Sequence, residues 1–167
     1  MPEPVSSTRR FDMLPKIHKE IWPSPIRPPC RPIVSDVNTN SSNIAKFIEF
    51  YLFLIASSFQ GFLLDSSHLI AILRSTTFRP SSILCTFDVR SLYTNIPISE
   101  GINRVSHAFD RFPQPQRPKE AILQLLRLSL ERNDFCFRDT YWLQTKGVAM
   151  GKSFGGSFTN IYLGYWE

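Results

Sequence analysis

Asp88 is the residue whose type and setting point most directly to chemistry. It closes the apolar run Ile83-Leu84-Cys85-Thr86-Phe87-Asp88-Val89, which reads as a buried strand. A carboxylate in such a place needs a partner. A hard cation such as Mg²⁺ is one, because it takes oxygen ligands while keeping water and substrate phosphates. The bland alternative is an aspartate that caps the turn after the strand. Tyr93, five residues further on, can return to the same side and lie flat against a sugar or base; a core tyrosine fits the pattern too. Arg31 opens the strand-like Arg31-Pro32-Ile33-Val34-Ser35, and its planar fork suits two phosphate oxygens at once. Lys16 and Lys19 can add point charges, although a solvated basic loop fits these residues equally. Gln144 to Gly151 joins a polar amide to Gly147 and Gly151, which lets backbone approach a nucleotide closely; an ordinary hairpin-to-helix loop is the competing reading. His18, His68 and His107 are scattered, and no Ser-His-Asp or Cys-His arrangement follows from spacing.

The elements that must position these residues follow from periodicity and proline. Residues 1–10 read as a flexible lead-in. Residues 11–36 hold Pro15, Pro23, Pro25, Pro28, Pro29 and Pro32, which argues for loop and short edge strand, with Arg31 to Ser35 the strand. Lys16, His18, Lys19, Arg27 and Arg31 make that segment basic. A helix begins at Ser42, capped by Ser41 or Ser42. Ile44, Phe47, Ile48, Tyr51, Leu52 and Ile55 form its stripe. Phe50, Phe53 and Leu54 widen that stripe, so most of the helix is expected to be buried, with Gly61 as its stop. A short helix follows over 67–74, then the 83–89 strand, a turn, and a helix near 99–109. Pro118 suits the first turn of the next helix, whose face is Ile122, Leu125, Leu126, Ser129 and Leu130, ending at Asn133. Asp134 to Arg138 and Thr140 to Gln144 read as a hairpin. A glycine-rich turn leads to a last helix from Ser157 to the chain end. The irregular alternation predicts an α+β fold.

Composition bounds the rest. The 167 residues are 43% apolar and 20% charged, which suits one folded domain. The net charge of +5 leans toward anionic partners such as nucleic acid. The three cysteines, Cys30, Cys85 and Cys136, have no metal-ligand spacing and read as reduced, buried thiols of an intracellular chain. The longest apolar run, Phe50 to Ala56, is far short of the ~20 residues that span a bilayer. No membrane partner is expected.

In order and spacing, several segments resemble the reverse transcriptases of Penelope-like retroelements. They are Leu14-Pro15-Lys16-Ile17-His18-Lys19, Arg31-Pro32-Ile33-Val34-Ser35, Phe87-Asp88-Val89-Arg90-Ser91-Leu92-Tyr93-Thr94-Asn95-Ile96-Pro97, Gly147-Val148-Ala149-Met150-Gly151 and Asn160-Ile161-Tyr162-Leu163. The resemblance covers residues 11–167. It implies a right-hand polymerase fingers/palm fragment, RNA-templated DNA synthesis with two Mg²⁺ ions, and a template-primer and dNTP as partners. It matches Asp88 to the first catalytic carboxylate and the Val89 carbonyl to a backbone metal ligand. Tyr93 matches the aromatic gate under the incoming sugar, and Arg31 the fingers arginine on the triphosphate, with Lys16 as a second phosphate contact. Gln144 to Gly151 matches the loop that supports template and nucleotide. Two departures stand out. Where the family has a Ser-Pro-Leu-Ser-Pro-like run, this chain has Lys152-Ser153-Phe154-Gly155-Gly156, so a looser loop is expected. The family's Asp-Asp pair, which follows the Asn-Ile-Tyr-Leu helix, occurs nowhere in this sequence, which reaches Glu167 within that expected helix. The chain by itself is therefore expected to be inactive, either as part of a polymerase domain or as a non-enzymatic retroelement remnant that at most binds nucleic acid.

Overall fold

The computed structural model describes residues 8–16 and 29–166. Lys19, Arg27 and the Ile17-His18 part of the first motif lie outside the described residues. Strands β1 (Arg10–Pro15) and β2 (Cys30–Ser35) come first, then helices α1 (Ser42–Ala56), α2 (Ser66–Ser75), α3 (Leu92–Asn95), α4 (Ile98–Arg111) and α5 (Lys119–Glu131). The hairpin β3 (Asp134–Phe137) and β4 (Thr140–Leu143) precedes α6 (Gly155–Leu163). This is the α+β arrangement expected, with one four-stranded sheet beside a helical body.

The sheet order is β2-β1-β3-β4. β1 and β2 are antiparallel with Phe11 opposite Val34, and β3 and β4 are antiparallel with Phe135 opposite Trp142. A short parallel junction at Arg10 and Cys136 joins the two pairs. β1 is an interior strand that the proline-rich sequence concealed. Its one proline, Pro15, lies at its very end, where a missing N–H costs least. The β3–β4 turn uses Arg138 and Asp139 at φ of 50° and 61°. This is the left-handed pair that a two-residue hairpin turn requires, usually met by Asn or Gly.

The core is helical. Ile48, Leu52 and Ile55 of α1 meet Val105 of α4, Leu126 of α5, and Phe158 and Ile161 of α6. These positions recur at helical spacing, which is why the sequence exposed them. The boundaries of α2, α4, α5 and the hairpin fall within a few residues of expectation. Pro118 sits just before α5, at its N-cap, rather than within its first turn.

Several expectations are overturned. The segment from Ile83 to Val89 is neither a strand nor buried: Ile83 is 86% and Phe87 95% exposed, and no described strand pairs with it. A strand in isolation gains no ladder hydrogen bonds, so apolar content alone does not make one. α1 is buried only along Ala45, Ile48, Leu52, Ile55 and Ala56; Phe47, Phe50, Phe53 and Leu54 face outward. It ends at Ala56, well before Gly61. The Ser41 hydroxyl does not cap α1 but donates to Asp36. α2 has no buried residue. α6 stops at Leu163 rather than running on. None of the three cysteines is buried, and Cys85 is exposed. Arg9, assigned to the flexible lead-in, is buried and hydrogen-bonded. No helix among the described residues is long and apolar enough to cross a membrane.

Candidate functional site

Five of the singled-out residues line one cleft of about 680 Å³: Lys16, Arg31, Asp88, Val89 and Tyr93. Lys16 comes from the end of β1, where its amide donates to the Pro29 carbonyl at 2.9 Å. Arg31 projects from β2, the edge strand. Asp88 and Val89 lie on the irregular segment before α3. That segment turns at Ser91, which holds the left-handed conformation (φ 53°). The turn is closed locally: the Thr94 amide donates to the Ser91 carbonyl at 3.2 Å, and the Asn95 side-chain amide donates to the Arg90 carbonyl at 3.3 Å. α3 then carries Tyr93 into the cleft wall, with its ring also packed on the core. The core reading of Tyr93 holds, and the same residue lines the cleft.

The cleft is cationic. Among the described residues, Lys16, Arg31 and Arg90 line it together with one carboxylate, Asp88. Arg90 was not singled out from sequence, although it follows Asp88 by two residues. Asp88 itself is exposed on an unpaired segment rather than buried at the end of a strand. Among the described residues no group of three His, Cys, Asp or Glu side chains could hold a metal ion. Asp88 supplies the carboxylate of this lining, with Val89 beside it.

The loop from Gly147 to Gly151 ties the segment bearing Tyr93 to β2, and its Met150 lines the cleft. The Val148 amide donates to the Tyr93 carbonyl at 2.7 Å, and the Val34 amide donates to the Met150 carbonyl at 2.9 Å. Gly147 (φ 70°) and Gly151 (φ 140°) both require left-handed backbone; a Cβ at the first would strike the Tyr93 carbonyl and at the second the Val34 carbonyl. Gly151 therefore serves close backbone contact with β2 and does not line the cleft. Gln144 lines an adjoining cleft instead. Its amide donates to the Lys146 carbonyl at 2.8 Å and accepts from Asn133 at 3.0 Å, which holds the loop in place.

The loop that follows is anchored, contrary to the looser one expected. Lys152 is buried, and its ammonium lies 3.2 Å from Asp36 Oδ1. The same oxygen receives Arg9 Nε at 2.8 Å and the Ser41 hydroxyl at 2.6 Å. Burial pushes the Asp36 carboxyl up, but Ser41, the Lys152 charge and Arg9 outweigh it and hold its pKa below the ordinary value. Burial, with the nearby Arg9 charge, lowers the Lys152 pKa despite Asp36. Phe154, two residues on, is fully buried. A buried ion pair and an aromatic anchor thus do the work expected of the absent prolines. Elsewhere, between α1 and α6, Glu49 accepts from the Ser157 hydroxyl at 3.0 Å, and burial raises its pKa.

Compared with known protein families the chain matches none, and no curated protein matches it.

Proposed function

We propose that this chain is a fingers and partial-palm fragment of an RNA-directed DNA polymerase of the Penelope-like retroelement type. It would bind template-primer and a Mg²⁺-dNTP but be inactive by itself. The observation that supports this most is the cleft shared by Lys16, Arg31, Asp88, Val89 and Tyr93, residues far apart in sequence. In this reading Arg31 and Lys16 take the triphosphate, with Arg90 added to them, and Tyr93 lies against the sugar. Asp88 and the Val89 carbonyl share a metal with the phosphates. Charge neutralisation at phosphorus is central to this chemistry, and one carboxylate supplies too little of it.

The alternative is a non-enzymatic remnant that binds nucleic acid through the same cations. It draws on the absence of a three-ligand metal group among the described residues. Titration with a fluorescent Mg²⁺-dNTP separates the two. Saturable binding that falls at least about tenfold in Arg31→Ala supports the polymerase reading, because charge-assisted contacts to phosphate are strong. No binding, or binding indifferent to Arg31, sinks it. Primer extension tests the inactivity separately: template-dependent extension that Asp88→Ala abolishes would overturn it.

A further inference from the structure

Two neighbouring stretches are left uncovered by the described residues. Helix α2 has no buried residue, and its Leu69, Ile70, Ile72 and Leu73 are all exposed. A helix of 10 residues is marginal in water without a face to pack on. Beyond it, Ile83, Leu84 and Phe87 are at least 80% exposed. No hydrogen bond among the described residues uses the backbone of residues 83–89, and that stretch holds neither proline nor glycine. Leu73, Phe78, Ile83 and Leu84 line one apolar cavity of about 310 Å³, so helix and segment form one continuous surface. The outward rings of α1 differ, because they pack on other rings: Phe47 and Phe50 meet Tyr51, and Phe53 meets Phe62.

We propose that this surface joins two copies of the chain, with residues 83–89 of each paired antiparallel across a two-fold axis. Such an axis sets two identical segments antiparallel, the arrangement in which strand hydrogen bonds run straight across. The pairing gives partners to backbone groups that have none in the single chain. Side chains alternate along a strand, so Ile83, Cys85, Phe87 and Val89 share one face, and none of them is charged. Asp88 is the one charged residue in the stretch, so the edge lacks the lysines and prolines that keep monomers apart. The area suffices as well. An aromatic side chain presents roughly 150–250 Å², and Ile and Leu approach the lower figure. The exposed parts of Ile70, Leu73, Phe78, Ile83, Leu84 and Phe87 then amount to on the order of 700 Å² per copy. A monomer rarely leaves more than a few hundred Å² of contiguous apolar surface open, and a standard stable interface covers about 800 Å² of each partner. The nearby charges, Arg79, Asp88 and Arg90, are of both signs, so a second copy meets no wall of like charge. The inference goes beyond the polymerase reading and needs neither nucleotide nor metal.

The test is sedimentation velocity of the full chain over a concentration series. A monomer–dimer equilibrium that stops at two copies is expected. Phe87→Lys puts a charge into the interface and Thr86→Pro removes a ladder donor, and each should weaken the dimer at least about tenfold. Phe87→Leu should retain it. Phe87 is almost fully exposed in the single chain, so Phe87→Lys should keep the circular dichroism spectrum of the dilute wild type. A short bismaleimide should link the copies through the exposed Cys85, and Cys85→Ser should abolish the link while the sedimenting dimer remains. A chain that stays monomeric or aggregates without stopping at two copies would overturn the proposal. So would a dimer indifferent to both Phe87→Lys and Thr86→Pro, or one that the reagent does not link at Cys85. The Mg²⁺-dNTP titration keeps the two readings apart. Lost nucleotide binding with the dimer intact removes only the polymerase reading, and a monomer that still binds nucleotide removes only the pairing.

Discussion

The ammonium of Lys152 and the carboxylate of Asp36 meet at 3.2 Å with side chains 1% and 3% exposed. With Arg9 on the same oxygen, they tie the residue before β1, the end of β2 and the turn before α6 into one knot. Breaking a buried pair from one side leaves an uncompensated charge. Asp36→Ala strands two cations and should cost about 3–5 kcal/mol. Lys152→Met leaves Arg9 to neutralise Asp36 and removes a desolvated ammonium, so it should cost no more than about 1 kcal/mol. Urea denaturation of both variants checks the order; equal losses would contradict it.

The same knot predicts an acid limb. The folded pKa of Asp36 lies below its ordinary 3.8. Its contribution is therefore fully present above 3.8 and lost as pH falls through the lower, folded value. Wild type should lose stability over that range more steeply than Asp36→Asn, as read by thermal melts across pH.

Glu49 works in the opposite sense. Its folded pKa is raised above 4.5, so the folded state holds the proton longer than the unfolded one. The stability linked to that proton is present below 4.5 and lost as pH rises through the folded value. Glu49→Gln should stabilise the protein at neutral pH by about 1 kcal/mol, since it removes a carboxylate charge that burial disfavours while its carbonyl can still accept from Ser157. That advantage should shrink below pH 4.5. Melting curves at acid and neutral pH measure the gap; a constant gap would refute the assignment.

Gly147 and Gly151 leave no room for a side chain against the Tyr93 and Val34 carbonyls. Either Gly→Ala change should cost roughly 1–3 kcal/mol from left-handed strain and contact. It should also weaken Mg²⁺-dNTP binding, because both cleft walls hang from this loop. Paired stability and titration measurements test both effects.

At the hairpin, Asp139 has φ 61°. Asp139→Gly removes that strain and should raise stability by about 1 kcal/mol, visible as a higher Tm.

The sequence revealed the helices because a helical stripe is repeated within one segment, as at Ile48, Leu52 and Ile55. It misjudged Ile83–Val89 because a strand is a relation between segments, and no described strand lies beside this one. It misread Phe47, Phe50 and Phe53 as core because hydrophobicity says nothing about which face finds a partner. Lys16, Arg31, Asp88 and Tyr93, singled out by residue type and order, share one cleft, yet Arg90 escaped because a single arginine inside a motif carries no periodic signal. Asp36 and Lys152 escaped because a pair 116 positions apart leaves no local pattern. The stacking of Phe11 on Phe135 exists only because β1 and the hairpin are joined.

The two main-chain stitches, Val148 to Tyr93 and Met150 to Val34, have a consequence for how the cleft can evolve. Its gauge is set by backbone, not by the side chains that line it. Substitutions at Lys16, Arg31, Asp88 or Arg90 can thus change what the cleft attracts while leaving its width alone. A lineage drifting away from one ligand would keep a ready-made slot of the same calibre for another.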